Sequence, residues 1–143
     1  MIQTELLKTV AMISPISATV GATQSGTVDT LNYKHATILI TLDTAGTNPS
    51  AIVLGDGTVT NSFTDLTDFV GDDADGFTIP AVDVTDPQII RFEVDLNQVD
   101  RYLELVITTG ATQVNSALCL LSQGNTAQDI AGWGVSAMVQ GNT

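Results

Sequence analysis

Residues 88–109 of the chain read QIIRFEVDLNQVDRYLELVITT, and this stretch indicates the fold class more plainly than any other. Two runs in it alternate between apolar and polar side chains, which is the period-two pattern of a half-buried β-strand. The apolar set is predicted to build the core and comprises Ile90, Phe92, Val94, Leu103, Leu105 and Ile107. The connection Asn97-Gln98-Val99-Asp100 is short and polar at both ends, so we expect an antiparallel hairpin.

The polar faces of this stretch carry charged side chains and two residues that do not fit the polar pattern. Arg91 and Arg101 lie close to acidic residues, and we expect ion pairs across the hairpin that set its register more than its stability. The same alternation places Tyr102 and Val106 on the outward face, yet a face that meets only water seldom carries two such side chains. We therefore predict that they contact another subunit or a crossing segment.

Length and composition bound the class of protein. The 143 residues suffice for one domain with its own core, and 16 acidic against 4 basic residues give a net charge of −12. A nucleic-acid-binding protein needs clustered Lys and Arg to neutralise phosphates, so this balance argues against such a partner. Copies of so acidic a chain repel each other unless they meet through apolar surfaces. Abundant Asp, Thr and Val favour turns and strands, and indicate an all-β domain.

The single cysteine and the chain start predict the setting. Cys119 lies in the apolar run Ala117-Leu118-Cys119-Leu120-Leu121 and is expected to be a buried free thiol. The first residues lack the pattern of a secretory signal, and no window approaches the ~20 apolar residues of a membrane helix. These patterns predict a soluble protein that is made in a cytoplasm, without a membrane partner.

Short apolar runs separated by turn residues continue along the whole chain. Besides the hairpin, the predicted strands are 16–20, 27–31, 35–43, 51–54, 58–64, 77–79, 113–121 and 135–139. Turns are predicted at 46–50 and at Gly55-Asp56-Gly57, and an acidic loop at 65–75. This series predicts an antiparallel, jelly-roll-like β-sandwich over residues 15–143. Residues 1–14 are predicted as an N-terminal arm, although 9–13 would also serve as an edge strand.

Catalytic chemistry has few candidate residues, so we predict no catalytic residue and no cofactor. His35 is the only histidine, and it opens a predicted strand. The sharpest local motif is Asp72-Asp73-Ala74-Asp75-Gly76, whose oxygens could wrap calcium, but the spacing of a full EF-hand is missing. A solvated turn is favoured, with calcium at a subunit contact as the alternative. Trp133 is interpreted as a lid on the core or a subunit contact, ahead of a sugar-stacking platform.

Three segments resemble a known family: Asn32-Tyr33-Lys34-His35-Ala36-Thr37-Ile38, Ser62-Phe63-Thr64-Asp65-Leu66-Thr67-Asp68-Phe69 and Arg101-Tyr102-Leu103-Glu104-Leu105. They are similar to small proteins encoded beside the major capsid gene of tailed bacteriophages, the capsid decoration or cement proteins. The resemblance implies a homotrimeric β-sandwich that is made in the host cytoplasm and binds the major capsid protein on the outer surface of the assembled virion. It implies stabilisation of the shell against internal DNA pressure, without catalysis.

Contact residues are expected at the arm, at the two outward positions of the hairpin and in the tail. They are Leu6, Leu7, Val10, Tyr102, Val106 and Trp133. Leu39, on a nominally outward face, is a further apolar position that subunits could cover. The alternative function is a carbohydrate-binding or receptor-contact module on the same sandwich, with Trp133 or Tyr102 as its platform.

Overall fold

Eight strands make up the regular structure of the protein, for which a computed structural model describes residues 7–44 and 46–123. The strands are β1 (Lys8–Ile13), β2 (Thr23–Asp29), β3 (His35–Leu42), β4 (Ala51–Val59), β5 (Ser62–Val70), β6 (Gln88–Asp95), β7 (Tyr102–Thr108) and β8 (Ser116–Ser122). The described residues include no helix that could cross a membrane.

The strands form two four-stranded sheets, and every pairing is antiparallel. One sheet has the order β1-β8-β3-β6 and the other has the order β2-β7-β4-β5. Consecutive strands therefore lie in opposite sheets at every step except the one from β4 to β5. This is the strand order of a jelly roll, built from two Greek keys. The predicted fold class, an all-β antiparallel sandwich of jelly-roll type, is confirmed.

The core lies between the two sheets and consists of the inward side chains of all the central strands. Five of the six core residues predicted in 88–109 are buried, and the sixth, Ile90, is partly buried against them. On β3 the inward set Ala36, Ile38, Ile40 and Leu42 has no exposed surface. Each such aliphatic side chain contributes about 1.5–3 kcal/mol through burial. Cys119 is buried as predicted, and burial raises the pKa of its thiol to about 12.

The predicted hairpin at 88–109 is wrong, because its two strands belong to different sheets. β6 pairs with β3, whereas β7 lies between β2 and β4, so residues 96–101 arch across the sandwich. Alternation specifies which face of a strand is buried, and both apolar faces do meet the same core, from opposite sides. The expected ion pairs change with the topology. Arg91 pairs with Glu93 on its own strand, 3.0 Å apart, and Arg101 pairs with Asp29 of β2, 2.8 Å apart.

The turn predicted at Gly55-Asp56-Gly57 is also wrong, and the loop predicted at 65–75 is wrong over residues 65–70. Both glycines lie inside β4, whose chain reverses only after Val59, and β5 continues to Val70. β5 is a mostly exposed edge strand with a wide irregularity, so it lacks the alternation that identifies strands. The glycines serve close approach, because a Cβ on Gly57 would lie 2.1 Å from the carbonyl oxygen of Ser62.

Two predicted strands are reduced to isolated bridges, and a third begins later in the chain than predicted. Residues 16–20 and 77–79 each contribute only an isolated bridge, Ala18 with Gln113 and Gly71 with Phe77. The last described strand begins at Ser116 instead of 113. Its residues Ser116, Leu118 and Leu120 share the outer face, since Ala117, Cys119 and Leu121 are buried.

Part of the predicted N-terminal arm forms β1, the edge-strand alternative. β1 pairs with β8 and packs closely against β2 of the other sheet. Gly26 makes this approach possible, because a Cβ at that position would lie 1.8 Å from the carbonyl oxygen of Met12. Residues 1–6 and the predicted strand at 135–139 lie outside the described residues.

Candidate interaction surface

Three neighbouring strands of one sheet are free of acidic residues. β1, β8 and β3 are neighbours in one sheet and contain no Asp or Glu, although the chain has 16 acidic residues. The carboxylates of that sheet, Glu93 and Asp95, are both on its edge strand β6. We call the outer surface of β1, β8 and β3 the acid-free face. Its composition sets it apart from the rest of this strongly acidic protein.

The register of the strands gathers apolar side chains on this face. Leu118 of β8 lies between Ala11 of β1 and Leu39 of β3, and these three form one cross-strand row. In the next row Leu120 lies between two threonines. Leu118 is 36% exposed, and Ile89 on the neighbouring edge strand is 66% exposed. An outer sheet face that only meets water carries mostly polar side chains, so these rows indicate a contact surface.

A shallow groove of about 320 Å³ runs along one side of the row formed by Ala11, Leu118 and Leu39. Ala11 and Pro15 line it together with Leu39 and Leu118. The groove is open to solvent and has a size that suits one or two aliphatic side chains of a partner. It gives the acid-free face a shape as well as a composition.

Buried amides hold the segment that carries Pro15 against the sandwich. Gln24 donates from Nε2 to the carbonyl oxygen of Ile16 at 3.3 Å, and it accepts from Nδ2 of Asn115 at 3.5 Å. The Asn115 Oδ1 accepts the backbone N–H of Asp43 at 3.0 Å. Asn115 is fully buried, so losing its hydrogen bond to Gln24 is costly. The segment beside the groove is thus connected to the interior of the sandwich through Gln24.

A charge-compensated cluster lies where the acid-free face meets β6. His35 Nε2 and Glu93 Oε2 are 2.5 Å apart, and Thr37 donates to the same oxygen at 2.8 Å. Arg91 Nε lies 3.0 Å from the other oxygen of Glu93. The hydrogen bonds from His35 and Thr37, with the nearby Arg91 charge, hold the pKa of Glu93 below its usual value. Arg91 thus offsets part of the negative charge of Glu93, the carboxylate nearest to the acid-free face. The side chain of His35 has Glu93 as its structural partner.

The outer face of the other sheet is different, because acidic residues reach into it. Glu104 is outward on β7, and Asp29 of β2 is the register neighbour of Tyr102. Arg101 donates to both oxygens of Asp29, at 2.9 and 2.8 Å, and its guanidinium carbon lies 4.9 Å from the centroid of the Tyr102 ring. The hydrogen bond from Arg101 lowers the pKa of Asp29 and raises that of Arg101. A cation thus covers one side of the aromatic ring.

The predicted contact residues that the structure describes lie on different parts of the sandwich. Tyr102 and Val106 are half-buried on the outer face of the β2-β7-β4-β5 sheet, whereas Val10 packs against the core from β1. Leu7 precedes β1 and is half-buried, and Leu6 and Trp133 lie outside the described residues. That these positions contact a subunit or capsid stays a prediction.

Leu39 does lie on the acid-free face, but its neighbours were missed. Ala11 lies in the segment predicted as the N-terminal arm, and the sequence pattern does not show that Leu118 and Leu120 lie beside Leu39. The available signal was the absence of Asp and Glu from 8–13, 35–42 and 116–122. Leucines in both alternating sets of 35–42 and 116–122 added to it, because a strand with one solvated face has apolar residues in one set only.

The acidic motif at 72–76 forms a self-contained turn. Asp72 has a φ of 59° and accepts the backbone N–H of Ile79 at 2.9 Å, while Asp73 accepts that of Asp75 at 3.1 Å. These are the local hydrogen bonds by which Asp favours turns. Across residues 7–44 and 46–123, no three or more His, Cys, Asp or Glu residues are grouped closely enough to bind a metal ion. The calcium alternative stays a prediction.

Comparison with known proteins identifies no family. No protein-family model matches the chain, and no curated protein matches it. Among solved structures it is similar to dimeric latent PorU from Porphyromonas gingivalis, with 9% identity and a TM-score of 0.45 over 83% of this chain and 13% of PorU. It is also similar to a structure described as "CBM4 structure and function", with 12% identity and a TM-score of 0.39 over 81% of this chain and 70% of the other. Likeness at this level carries no argument about function.

Proposed function

We propose that the chain is a capsid decoration protein that binds the outer surface of an assembled phage capsid as a homotrimer and stabilises it without catalysis. The observation that carries the proposal is the acid-free face, an apolar sheet surface on an otherwise strongly acidic jelly roll. Contiguous apolar surface of this kind marks contacts with other proteins. A decoration protein works only through such contacts, with subunits and with the major capsid protein.

The charge distribution supports the same function. Most carboxylates lie in loops and on the β2-β7-β4-β5 side, away from the acid-free face. An acidic exterior keeps a protein soluble and repels DNA, which suits a position outside a DNA-filled shell. The three segments behind the family resemblance lie at the start of β3, in β5 and at the start of β7, so they are part of the sandwich. The fold hosts many functions, and the proposal therefore rests on the surface.

A binding experiment with assembled shells tests this function. The chain is mixed with empty shells and, separately, with unassembled major capsid protein from the phage whose genome encodes the chain, and both are run on sucrose gradients. We expect co-sedimentation with shells and none with the unassembled protein, because decoration requires the assembled surface. Shells of an unrelated phage serve as the control. A chain that stays at the top of the gradient at saturating concentration contradicts the proposal.

The carbohydrate-binding alternative has a separate test. Arg101 already covers one side of the Tyr102 ring, which leaves less aromatic surface for a sugar to stack on. A glycan array probed with the chain and with Tyr102→Ala is expected to give the same blank result. A glycan signal that disappears in Tyr102→Ala would favour the alternative over the decoration proposal.

A further inference from the structure

We propose that the acid-free face binds a second copy of this chain. The inference rests on the homotrimer in the proposed function and names the surface through which the copies meet. The row of Ala11, Leu118 and Leu39, with Leu120 beside it, would form the centre of the contact. The groove beside the row, bounded by Pro15, would receive side chains of the neighbouring copy.

Charge is the first argument for a copy as the occupant. The chain has a net charge of −12, so two copies repel each other wherever acidic surfaces would meet. At the acid-free face no carboxylate of β1, β8 or β3 opposes the approach. Glu93 and Asp95 lie on the neighbouring edge strand β6, where Arg91 offsets the charge of Glu93. The two sheets of a sandwich are about 10 Å apart, and the Debye length at physiological salt is about 8 Å, so acids on the far sheet are largely screened there.

The same reasoning disfavours a basic partner at this face. A partner rich in Lys and Arg would be attracted to the acidic loops and to the β2-β7-β4-β5 side, where the carboxylates lie. An uncharged, apolar surface instead matches another uncharged, apolar surface. Because the chain itself carries such a surface, a second copy supplies the matching chemistry.

The size of the face predicts how strong the contact is. Three strands about 4.8 Å apart and about seven residues long present a plan area of roughly 14 Å by 23 Å, on the order of 300 Å². A standard stable interface buries about 800 Å² on each partner, so this contact is small. Self-association of the free chain is therefore expected to be weak and concentration-dependent. A two-fold pair would use the face on both copies, and a closed trimer would bring the same apolar row of three copies together around the three-fold axis.

The test compares the native chain with two matched glutamate variants. Leu118→Glu places a carboxylate in the middle of the acid-free face, and Val53→Glu places one at a half-buried, central position on the opposite sheet. Both change the net charge equally. Leu118→Gln removes the apolar side chain without adding charge, in case Leu118→Glu fails to fold. Circular dichroism and thermal unfolding establish which variants are folded.

Analytical ultracentrifugation at about 5 to 500 µM, a range suited to small interfaces, measures the association. We expect the native chain and Val53→Glu to associate, and we expect the dissociation constant to rise at least tenfold in Leu118→Glu and Leu118→Gln. Raising the salt concentration should leave the native association intact, since the contact is apolar.

Three results would overturn the proposal. The first is association of the folded Leu118 variants at the native strength. The second is loss of association in Val53→Glu alone, which would move the contact to the opposite sheet. The third is a native chain that stays monomeric while Leu118→Glu loses binding to shells, which would assign the face to the capsid. In that third case the decoration function survives, so its failure and that of the present inference are separable.

Discussion

Replacing Gly26 by alanine tests whether the first strand is part of the sandwich or a free arm. Gly26 lies in β2, at the point where β1 of the other sheet packs closely against it. Its φ is outside the left-handed region, so alanine can adopt the same backbone conformation. The only obstacle is space, because the new Cβ would lie 1.8 Å from the carbonyl oxygen of Met12.

The structure gives the sign and the size of the effect. Real Cβ contacts are essentially never shorter than 3.0 Å, so β1 must move away by at least the difference from 1.8 Å, which is 1.2 Å. The atom in the way belongs to the backbone, and β1 is also hydrogen-bonded to β8, so the shift strains a whole strand. Overpacking of this kind costs about 1–3 kcal/mol. If β1 were a free arm, alanine would instead stabilise the fold by about 0.4–1 kcal/mol, by restricting the unfolded chain.

Equilibrium unfolding in urea distinguishes the two cases. Gly26→Ala is expected to lower the free energy of unfolding, and Ser25→Ala, an outward neighbour on the same strand, should change it by less than about 0.5 kcal/mol. An unchanged or raised free energy of unfolding in Gly26→Ala would refute the close packing of β1 on β2, and with it the placement of β1 in the sheet.

Three further predictions address the core, the thiol and one ion pair. Leu105→Ala, at a position with no exposed surface, should lower the free energy of unfolding in urea by about 2–5 kcal/mol; a loss below 1 kcal/mol would contradict its place in the core. Cys119 should resist a thiol reagent at mildly alkaline pH until the chain unfolds, since its pKa is about 12; rapid reaction of the native chain would disprove its burial. Arg101→Gln should raise the pKa of Asp29, measured by NMR titration, while Arg91→Gln should not. Because the folded pKa of Asp29 is depressed, the stabilisation by the pair is present above the unfolded pKa and is lost as the pH falls through the folded value, and an unshifted titration in Arg101→Gln would count against the pair.

Alternation predicted the buried faces because it depends only on the local geometry of a strand. The inward sets of β3, β6 and β7 were all visible in the sequence, since each of these strands has one face on the core. Residues 65–70 of β5 were not predicted as a strand, because they lack this alternation. β5 is an edge strand with most side chains exposed and a wide irregularity, so no periodic signal marks it.

Pairing partners were harder to predict, as the two strands of 88–109 show. The connection between β6 and β7 has the length and polarity of a hairpin loop, but it arches between sheets. A hairpin and an arch both bury the apolar faces of the two strands, so alternation cannot separate them. Strand order could have done so, because a jelly roll places most consecutive strands in opposite sheets. The predicted fold class and the predicted hairpin were thus in conflict.

The acid-free face depends on the same strand order. Its three strands, β1, β3 and β8, are far apart in the sequence, and the absence of acids from each is visible there without their adjacency. The order β1-β8-β3 makes them one surface, whereas a sandwich of simple hairpins would scatter them among acidic strands. In a jelly roll the first, last and third strands are always neighbours. Counting the strands correctly would therefore have turned three acid-free segments into a predicted interface, and the leucines on β3 and β8 would have marked its centre.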